Sequence, residues 1–319
     1  MDPKVSIIIP IYNAEKLLPR LLRSIQNQYM THFEALLIND GSTDGSTEIC
    51  NNICEEDKRF KVVHKKNAGV AAARQTGLEM AKGTYVIHAD ADDWMDDNML
   101  SNLCYEADVR NADIVIADYY VNIGDEQNII KQQPSSLQPC TVLHELFQQL
   151  HGSCWNKLVS RACYNKYGAK FFPGINYCED LLFWIQILQH EDVNIYYHPR
   201  AYYHYYCDLS HQSITGSYNR NLFDTICKVV SKIEEILPKE KWQPEIDRFK
   251  LSVKYGAFEH PIFSWREYMG IYPEVNWMIL SFPTSLLNRT LFFLSYLGFY
   301  RIATRLYKIK NDFRGNKVR

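Results

Sequence analysis

Short apolar runs alternate with helical spacings along the first part of the chain. Five runs rich in branched residues each precede a polar or turn-forming stretch, as expected of strands buried in a parallel sheet; they cover residues 5–9, 34–38, 60–64, 85–88 and 113–117. Between them apolar residues recur every three or four positions, as at Leu18, Leu21 and Leu22. This alternation predicts an α/β fold, with a mostly parallel sheet and helices on both faces.

The pattern changes in the second part of the chain. Residues 122–140 are rich in Asn, Gln, Pro and Ser and predict a loop, whereas 144–150, 181–188 and 221–254 have helical patterning. Strand and aromatic signals give way to helices near residue 217. We therefore expect two parts, one covering residues 1–217 and a helical C-terminal region covering 218–319.

The C-terminal segment is apolar and basic. Pro283 and Arg289 interrupt the apolar stretch, so it is not expected to span a bilayer. Residues 289–319 carry a net charge of +7, which leaves −9 on residues 1–288 and argues against nucleic-acid binding. One predicted helical face carries apolar residues and another carries cations; these are Ile302, Leu306 and Ile309, and Arg301, Arg305 and Lys308. This pattern is typical of a helix lying on an anionic membrane surface and equally of a helix docked on the body.

The nine cysteines are scattered without metal-binding spacings, which predicts free thiols in a reducing compartment. The first strand is predicted to begin at about Val5, too early to leave room for a signal peptide. We therefore expect a cytoplasmic protein, with peripheral contact to the inner face of the cell membrane if the tail binds lipid.

An acidic cluster directly follows the fourth apolar run. Asp90, Asp92 and Asp93 place three carboxylates within four positions, where they repel one another unless a cation is present. Mg²⁺ and Mn²⁺ prefer such oxygen ligands and bind through one or two carboxylates together with substrate phosphates. The alternative is a solvated turn whose aspartates cap the helix that begins near Asn98.

Two further polar residues follow predicted strands. Asp40 opens a stretch of small residues, 40–46, where a ligand can approach the backbone; it is expected to contact a base or ribose, or to form a turn. Arg74 lies in the first turns of a helix predicted over 71–80, whose N-terminus can face an anion. It is expected to bind a nucleotide, or to be a surface residue on a packing helix.

The combined motifs resemble one enzyme family. Their order and spacing are similar to those of the inverting family 2 glycosyltransferases of the GT-A fold: Pro10-Ile-Tyr12-Asn13, Asn39-Asp40-Gly-Ser-Thr-Asp44-Gly-Ser, Asn67-x-Gly-x-x-x-Ala-Arg74 and Asp90-x-Asp92-Asp93. Further stretches also resemble the family: Trp155-Asn156-Lys157, Phe172-Pro-Gly174 and Glu179-Asp180. The resemblance covers roughly residues 3–217 and implies a GT-A catalytic domain over 1–217 with a helical extension.

The resemblance also implies roles for individual residues. Nucleotide contacts are expected from Pro10, Tyr12, Asn13, Asp40, Asn67, Arg74, Asp90 and Ala91. Asp40 would recognise the base, and Asp92 with Asp90 or Asp93 would hold Mn²⁺ or Mg²⁺ on the diphosphate. Asp180 would be the catalytic base and Glu179 its rival. Without the resemblance, both acids would be interpreted as a helix N-terminus that favours negative charge.

The chain departs from the family pattern near residue 204. Where relatives often carry Arg, the stretch 202–215 contains none, although it holds two histidines. His204 or His211 is therefore a candidate to reach the metal or the diphosphate; a packed or surface histidine is the alternative.

The implied function is metal-dependent, inverting transfer from a nucleotide sugar, with UDP the expected nucleotide. The acceptor would be a hydroxyl of a saccharide or a lipid-linked saccharide in cell-surface polysaccharide synthesis. One alternative is a nucleotidyltransferase, although Pro10–Glu15 stands where its glycine-rich phosphate loop would be. The other is a non-catalytic protein that binds nucleotide sugars.

Overall fold

The computed structural model describes residues 2–207 and 218–315. The chain forms two compact units, divided between His211 and Gln212. We call residues 2–207 unit 1 and residues 218–315 unit 2.

Unit 1 contains a nine-stranded sheet. Its strands are β1 (Val5–Ile11), β2 (Phe33–Asn39), β3 (Phe60–His64), β4 (Tyr85–His88), β5 (Trp94–Met95), β6 (Ile114–Ile123), β7 (Glu126–Ile130), β8 (Lys157–Ser160) and β9 (Ile195–Tyr206). The order across the sheet is β3-β2-β1-β4-β8-β6-β9-β5, and β7 pairs with β6. All seven residues of β2 are buried, as expected of a central parallel strand.

The sheet contains both parallel and antiparallel pairs. Strands β1 to β4 form parallel pairs and β6 pairs with β9 in parallel, whereas β8 lies antiparallel between β4 and β6. β5 and β7 add two more antiparallel pairs. The parallel part coincides with the apolar runs joined by helices, because a parallel connection needs a crossover. The later strands lack such regular crossovers.

Seven helices of unit 1 cover the sheet: α1 (Leu18–Gln26), α2 (Ser46–Glu56), α3 (Val70–Met80), α4 (Met99–Arg110), α5 (Pro139–Leu146), α6 (Arg161–Tyr167) and α7 (Glu179–Leu188). α1, α2 and α4 pack with Val5, Ile7 and Ile9 on one face. α3 packs on the other face, where Gly77 touches Ile8 so closely that a Cβ would collide with that side chain. Helices therefore cover both faces, as predicted.

The predicted loop over 122–140 contains structure. Residues 122 and 123 end β6, and β7 forms a hairpin with it. All five residues of β7 are exposed, so this strand has no apolar alternation that sequence analysis could detect. The helix expected over 144–150 lies earlier, at α5, where Pro139 occupies its first turn.

Unit 2 is helical in its described residues. It contains α8 (Arg220–Ile236), α9 (Lys239–Glu259), α10 (Trp265–Gly270), a 3₁₀ helix (Pro273–Ser281), α11 (Leu286–Leu294), a π-helical turn (Ser295–Phe299) and α12 (Tyr300–Gly315). Pro238 separates α8 from α9 within the stretch of helical patterning over 221–254. Its core includes Phe258, Tyr268 and Phe292. Among the residues that the structure describes, no helix is long and apolar enough to cross a membrane.

Helix α12 is docked on unit 2 by one face and exposed on another. Tyr300, Ala303 and Tyr307 belong to the buried core of the unit. Ile302 and Leu306 are 59% and 47% exposed, and Ile309 is exposed as well. The apolar face that sequence analysis considered for membrane contact therefore remains exposed after the helix has docked.

Candidate functional site

The acidic loop after β4 is held by hydrogen bonds that orient its carboxylates differently. The N–H of Asp93 donates to the Asp90 carbonyl oxygen, which closes a tight turn. Asp93 points inward and is fully buried, where its carboxylate accepts from the Tyr203 hydroxyl and the Tyr206 N–H, both at 2.8 Å. The Asp90 N–H donates to the same Tyr203 oxygen. Asp93 thus anchors the loop, whereas Asp92 is exposed.

Arg74 joins three carboxylates from distant parts of the chain. It projects from α3 and is 4% exposed. One terminal nitrogen, Nη1, contacts Glu179 and lies 2.6 Å from Asp180 Oδ1, and Nη2 lies 2.7 Å from Asp90 Oδ1. Burial opposes its charge, but the charges of Asp180, Asp90 and Glu179 outweigh burial and raise the pKa of Arg74. One guanidinium facing three carboxylates leaves an excess of negative charge.

The two acids at the start of α7, Glu179 and Asp180, share a buried environment. Burial is the main influence on both; against the opposing charge of Arg74 it raises the pKa of Asp180 above its ordinary range and that of Glu179 to about 7. Asp180 Oδ2 also accepts a 2.9 Å hydrogen bond from the Cys154 N–H. Both side chains share Arg74, so the geometry leaves either acid as the candidate base.

Asp90 and Asp92 form the outward pair of the acidic loop. Partial loss of hydration to neighbouring atoms, followed by the charge of Asp90, raises the pKa of Asp92 to about 6, although the residue is exposed. In the described parts of the chain, no three His, Cys, Asp or Glu side chains are arranged to hold a metal ion. Two hard oxygen donors beside excess negative charge suit Mg²⁺ or Mn²⁺ whose other ligands are water and phosphate.

Asp40 clamps the loop that leads into α3. It is buried at the end of β2, where its carboxylate accepts from Lys65 Nζ and from the N–H groups of Ala68 and Gly69, at 2.7–3.1 Å. Gly69 has φ +89°, a conformation that strongly favours glycine. Asp40 therefore shapes the N-terminus of α3, and Arg74 follows one turn later.

Five other predicted nucleotide contacts lie near the carboxyl ends of parallel strands. Pro10 is within the last residues of β1, whereas the others follow β1, β3 or β4: Tyr12, Asn13, Asn67 and Ala91. Asn13 adopts a left-handed conformation with φ 49°. Its N–H donates to Ser42 Oγ, and its side-chain oxygen accepts from the Thr43 N–H. The loops after β1 and β2 are therefore tied together beside the exposed Tyr12.

His204 is a packed residue in the structure. Its ring stacks between Trp94 and Tyr120, with centroids 4.7 and 4.5 Å away. Its Nε2 contacts Asp96 at 3.1 Å and its Nδ1 contacts Gln127 at 3.2 Å. Both ring nitrogens are engaged in the structure, and metal ligation by His204 stays a prediction. The other candidate, His211, lies outside the described residues.

Arg20 is a cation near the acidic loop that sequence analysis missed. Its guanidinium lies over the rings of Trp94 and Tyr206, 4.0 and 4.5 Å from their centroids, and donates to the Asp92 carbonyl oxygen. Burial lowers its pKa despite the charge of Asp93. Arg20 and Arg23 also line a cleft of about 630 Å³ on the α1 side of this loop. The only sequence signal for Arg20 was its charge within the helical pattern of α1.

An aromatic wall stands beside the carboxylates and was also missed as a group. Trp155 stacks on Tyr203 and Tyr205, with centroids 4.6 and 5.8 Å away, and His151 lies against Trp155. Burial, followed by the charges of Cys207 and of the acidic loop, raises the pKa of Tyr205 to about 12. Tyr205 is half-buried and His151 is exposed, so their edges are accessible.

Comparisons with known proteins identify the same family. The chain matches the model for glycosyl transferase family 2 over residues 6–168. It is 32% identical over 190 residues to the uncharacterized glycosyltransferase EpsJ of Bacillus subtilis strain 168, a match that covers 56% of this chain and 54% of EpsJ. The chain therefore spans about half the length of EpsJ.

Two solved structures share the fold. TarS 1–349 of S. aureus, crystallised with UDP-GlcNAc, matches with a TM-score of 0.71 and 18% identity, over 96% of this chain and 92% of that one. The mannosyltransferase PcManGT of Pyrobaculum calidifontis, in complex with GDP-Man and Mn²⁺, matches with a TM-score of 0.54 and 16% identity, over 97% and 85%. These likenesses confirm the predicted GT-A fold.

Proposed function

The chain belongs to glycosyl transferase family 2, and on that premise we propose that it transfers a sugar from a nucleoside-diphosphate sugar to an acceptor hydroxyl, with inversion and with a divalent cation. The observation that carries this proposal is the cluster around Arg74. One guanidinium joins Asp90 of the acidic loop to Asp180 at the start of α7. The proposed cation ligand and the proposed proton acceptor therefore contact the same guanidinium.

Asp90 and Asp92 would hold Mn²⁺ or Mg²⁺ together with the oxygens of the diphosphate. A cation bound there would neutralise the negative charge that builds on the departing diphosphate. The excess of carboxylate over guanidinium at Arg74 supports this role, because an added positive charge would relieve it. The solved structure of PcManGT is a complex with GDP-Man and Mn²⁺, which also supports a cation requirement.

Asp180 would act as the general base. It would take the proton of the acceptor hydroxyl as that oxygen attacks the anomeric carbon from the face opposite the diphosphate, which inverts the centre. A raised pKa makes its carboxylate a better proton acceptor near neutral pH. Arg74 would orient it, and Glu179 remains the rival because it shares the same guanidinium.

UDP is the proposed donor nucleotide, supported by the UDP-GlcNAc complex of TarS. The loops held by Asp40 and Asn13 would receive the nucleotide. The acceptor would be a saccharide or a lipid-linked saccharide in the synthesis of cell-surface polysaccharide. The accessible edges of Tyr205 and His151 are suited to pack against a sugar ring.

We also propose peripheral contact with the inner face of the cell membrane through α12. Its exposed surface carries both apolar residues and cations. The apolar residues can enter the lipid layer while the cations contact anionic headgroups. The apolar residues are Ile302, Leu306 and Ile309, and the cations are Arg301, Arg305 and Lys308. The opposite face of the helix is already buried in unit 2. The protein would then be cytoplasmic and lie on the membrane rather than span it.

Catalysis is tested with a panel of nucleotide sugars, by measuring donor hydrolysis and transfer with EDTA, Mn²⁺ or Mg²⁺. We expect a metal-stimulated reaction with at least one UDP-sugar that is lost in Asp92→Ala. Asp97→Ala is the matched control, since Asp97 is an exposed aspartate of the same segment. Turnover without any metal stimulation, and unchanged in Asp92→Ala, would contradict the mechanism. Binding of UDP without any turnover would instead support a non-catalytic binding protein.

A further inference from the structure

Lys157 is a fully buried lysine beside the candidate base. It opens β8 and is 2% exposed. Its ammonium donates to the carbonyl oxygens of His151 and Ser153 at 2.7 and 2.9 Å, and to Asn156 Oδ1 at 2.8 Å. Burial lowers its pKa to about 7. A buried ammonium is costly unless hydrogen bonds compensate it, so its three contacts hold the segment before β8 firmly.

That segment, residues 151–156, supplies a hydrogen bond to Asp180. The N–H of Cys154 lies 2.9 Å from Asp180 Oδ2, while Arg74 holds Oδ1. The Ser153 carbonyl, already bound by Lys157, also accepts from Trp184 Nε1 at 3.2 Å. Trp184 lies one helical turn after Asp180 in α7, so the segment is fixed to the helix that carries the acid.

Hydrogen bonds of Asn156 connect this segment to the sheet. Asn156 Nδ2 donates to the Ala117 carbonyl on β6, and the Ala117 N–H donates to the Asn156 carbonyl. Ser153 Oγ donates to the same Asn156 oxygen that Lys157 binds. Lys157 therefore donates to three oxygen atoms of this segment and links them to one another.

We propose that Lys157 is a positioning residue for Asp180, acting by holding residues 151–156 so that the Cys154 N–H fixes the second oxygen of that carboxylate. With both oxygens held, the carboxylate has one orientation toward the acceptor hydroxyl. Loss of one holding bond lets it rotate, and misplacement of about 1 Å can lower a rate by about 10²-fold. The inference deepens the proposed function and rests on Asp180 being the base.

The test compares Lys157→Met with the exposed control Lys170→Met, measuring kcat and the donor KM. We expect kcat to fall about 10- to 100-fold in Lys157→Met while the donor KM changes less than about twofold, and no change in the control. In an Asp180→Asn background, Lys157→Met should add no further loss, because both changes act through one carboxylate. Full additivity, or an unchanged kcat, would overturn the proposal.

Two further measurements keep the test decisive. Hydrogen exchange should rise in a peptide covering residues 151–157 of Lys157→Met and stay unchanged around Asp40; a rise throughout unit 1 would indicate general destabilisation and overturn the inference. Ser153→Ala removes only the bond to Asn156, so it should fold normally and lower kcat a few-fold at constant donor KM. An inactive wild-type protein would refute the proposed function itself, whereas an active wild type with unaffected variants would refute only the role of Lys157.

Discussion

Units 1 and 2 differ in how their buried charges are used and in how much apolar surface each exposes. Unit 1 buries charged side chains and holds them in hydrogen bonds, as with Arg74, Asp93 and Lys157. Unit 2 is about half as long, yet it carries ten of the seventeen large hydrophobic side chains that are exposed in the described residues. Buried charge is costly unless it is compensated, and exposed apolar surface is costly unless it is covered.

The difference indicates two kinds of partner. A preorganised set of buried charges favours a small, polar and charged ligand, because its groups need not rearrange to bind it. An apolar surface interleaved with cations favours an anionic amphipathic surface. Each unit can therefore be tested by changes that leave the other unit intact.

The largest effect is expected from Asp180→Asn in unit 1. The substitution keeps the shape but removes the proton acceptor, and general-base help contributes about 10²–10⁴-fold. We expect kcat to fall by that factor with little change in donor affinity, measured by transfer kinetics and UDP binding.

Glu179→Gln separates the two candidate bases. A smaller loss than in Asp180→Asn supports Asp180, and the reverse order would assign the base to Glu179. Asp192→Asn is the matched control, because Asp192 is an exposed acid just beyond the end of α7.

The next largest effect is expected in the binding of unit 2 to lipid vesicles. Replacing Arg301, Arg305 and Lys308 with Gln should weaken binding to vesicles containing anionic lipid about 100-fold, since each cation near such a surface contributes about 1 kcal/mol. Cosedimentation at low and high salt measures this, and binding should weaken as salt rises. The control replaces three exposed cations of unit 1, Lys58, Lys131 and Arg200. Equal loss in both variants would reject α12 as the contact.

The smallest effect distinguishes two neighbouring acids within unit 1. Asp93→Ala leaves the Tyr206 N–H and the Tyr203 hydroxyl without their acceptor, so the free energy of unfolding should fall by about 1–3 kcal/mol. Asp92→Ala should change it by less than about 0.5 kcal/mol, because Asp92 is exposed. Urea unfolding of both variants measures the difference. A larger loss in Asp92→Ala would reverse the roles assigned to the two acids.

The parallel part of the sheet was predictable because its signals are local. β3 and β4 match the predicted bounds, and α3 begins within one residue of its predicted start. A strand buried on both faces is a continuous apolar run, which is visible without knowing its neighbours.

The later strands were not predictable in the same way. β8 begins with Lys157 and β7 is wholly exposed, so neither shows the alternation of an ordinary strand. Their residues form strands because of pairing with β6, which is a contact between distant segments.

The site shows the same limit. Sequence analysis selected Arg74, Asp90, Glu179 and Asp180 separately, but it assigned Arg74 to the nucleotide rather than to the three acids. Arg74 and Asp180 are 106 residues apart, so only the fold reveals the contact. The packing of His204 was hidden for the same reason, since its partners Asp96 and Gln127 come from distant segments of the chain.

The docking of α12 has a consequence for how lipid would be engaged. Many amphipathic segments become helical only when they reach a bilayer, and the loss of conformational entropy then weakens their affinity. Here Tyr300 and Tyr307 already fix the helix on unit 2, so no such ordering penalty remains. All of the attraction to lipid would then be available for attachment, and its strength would follow local changes in surface charge.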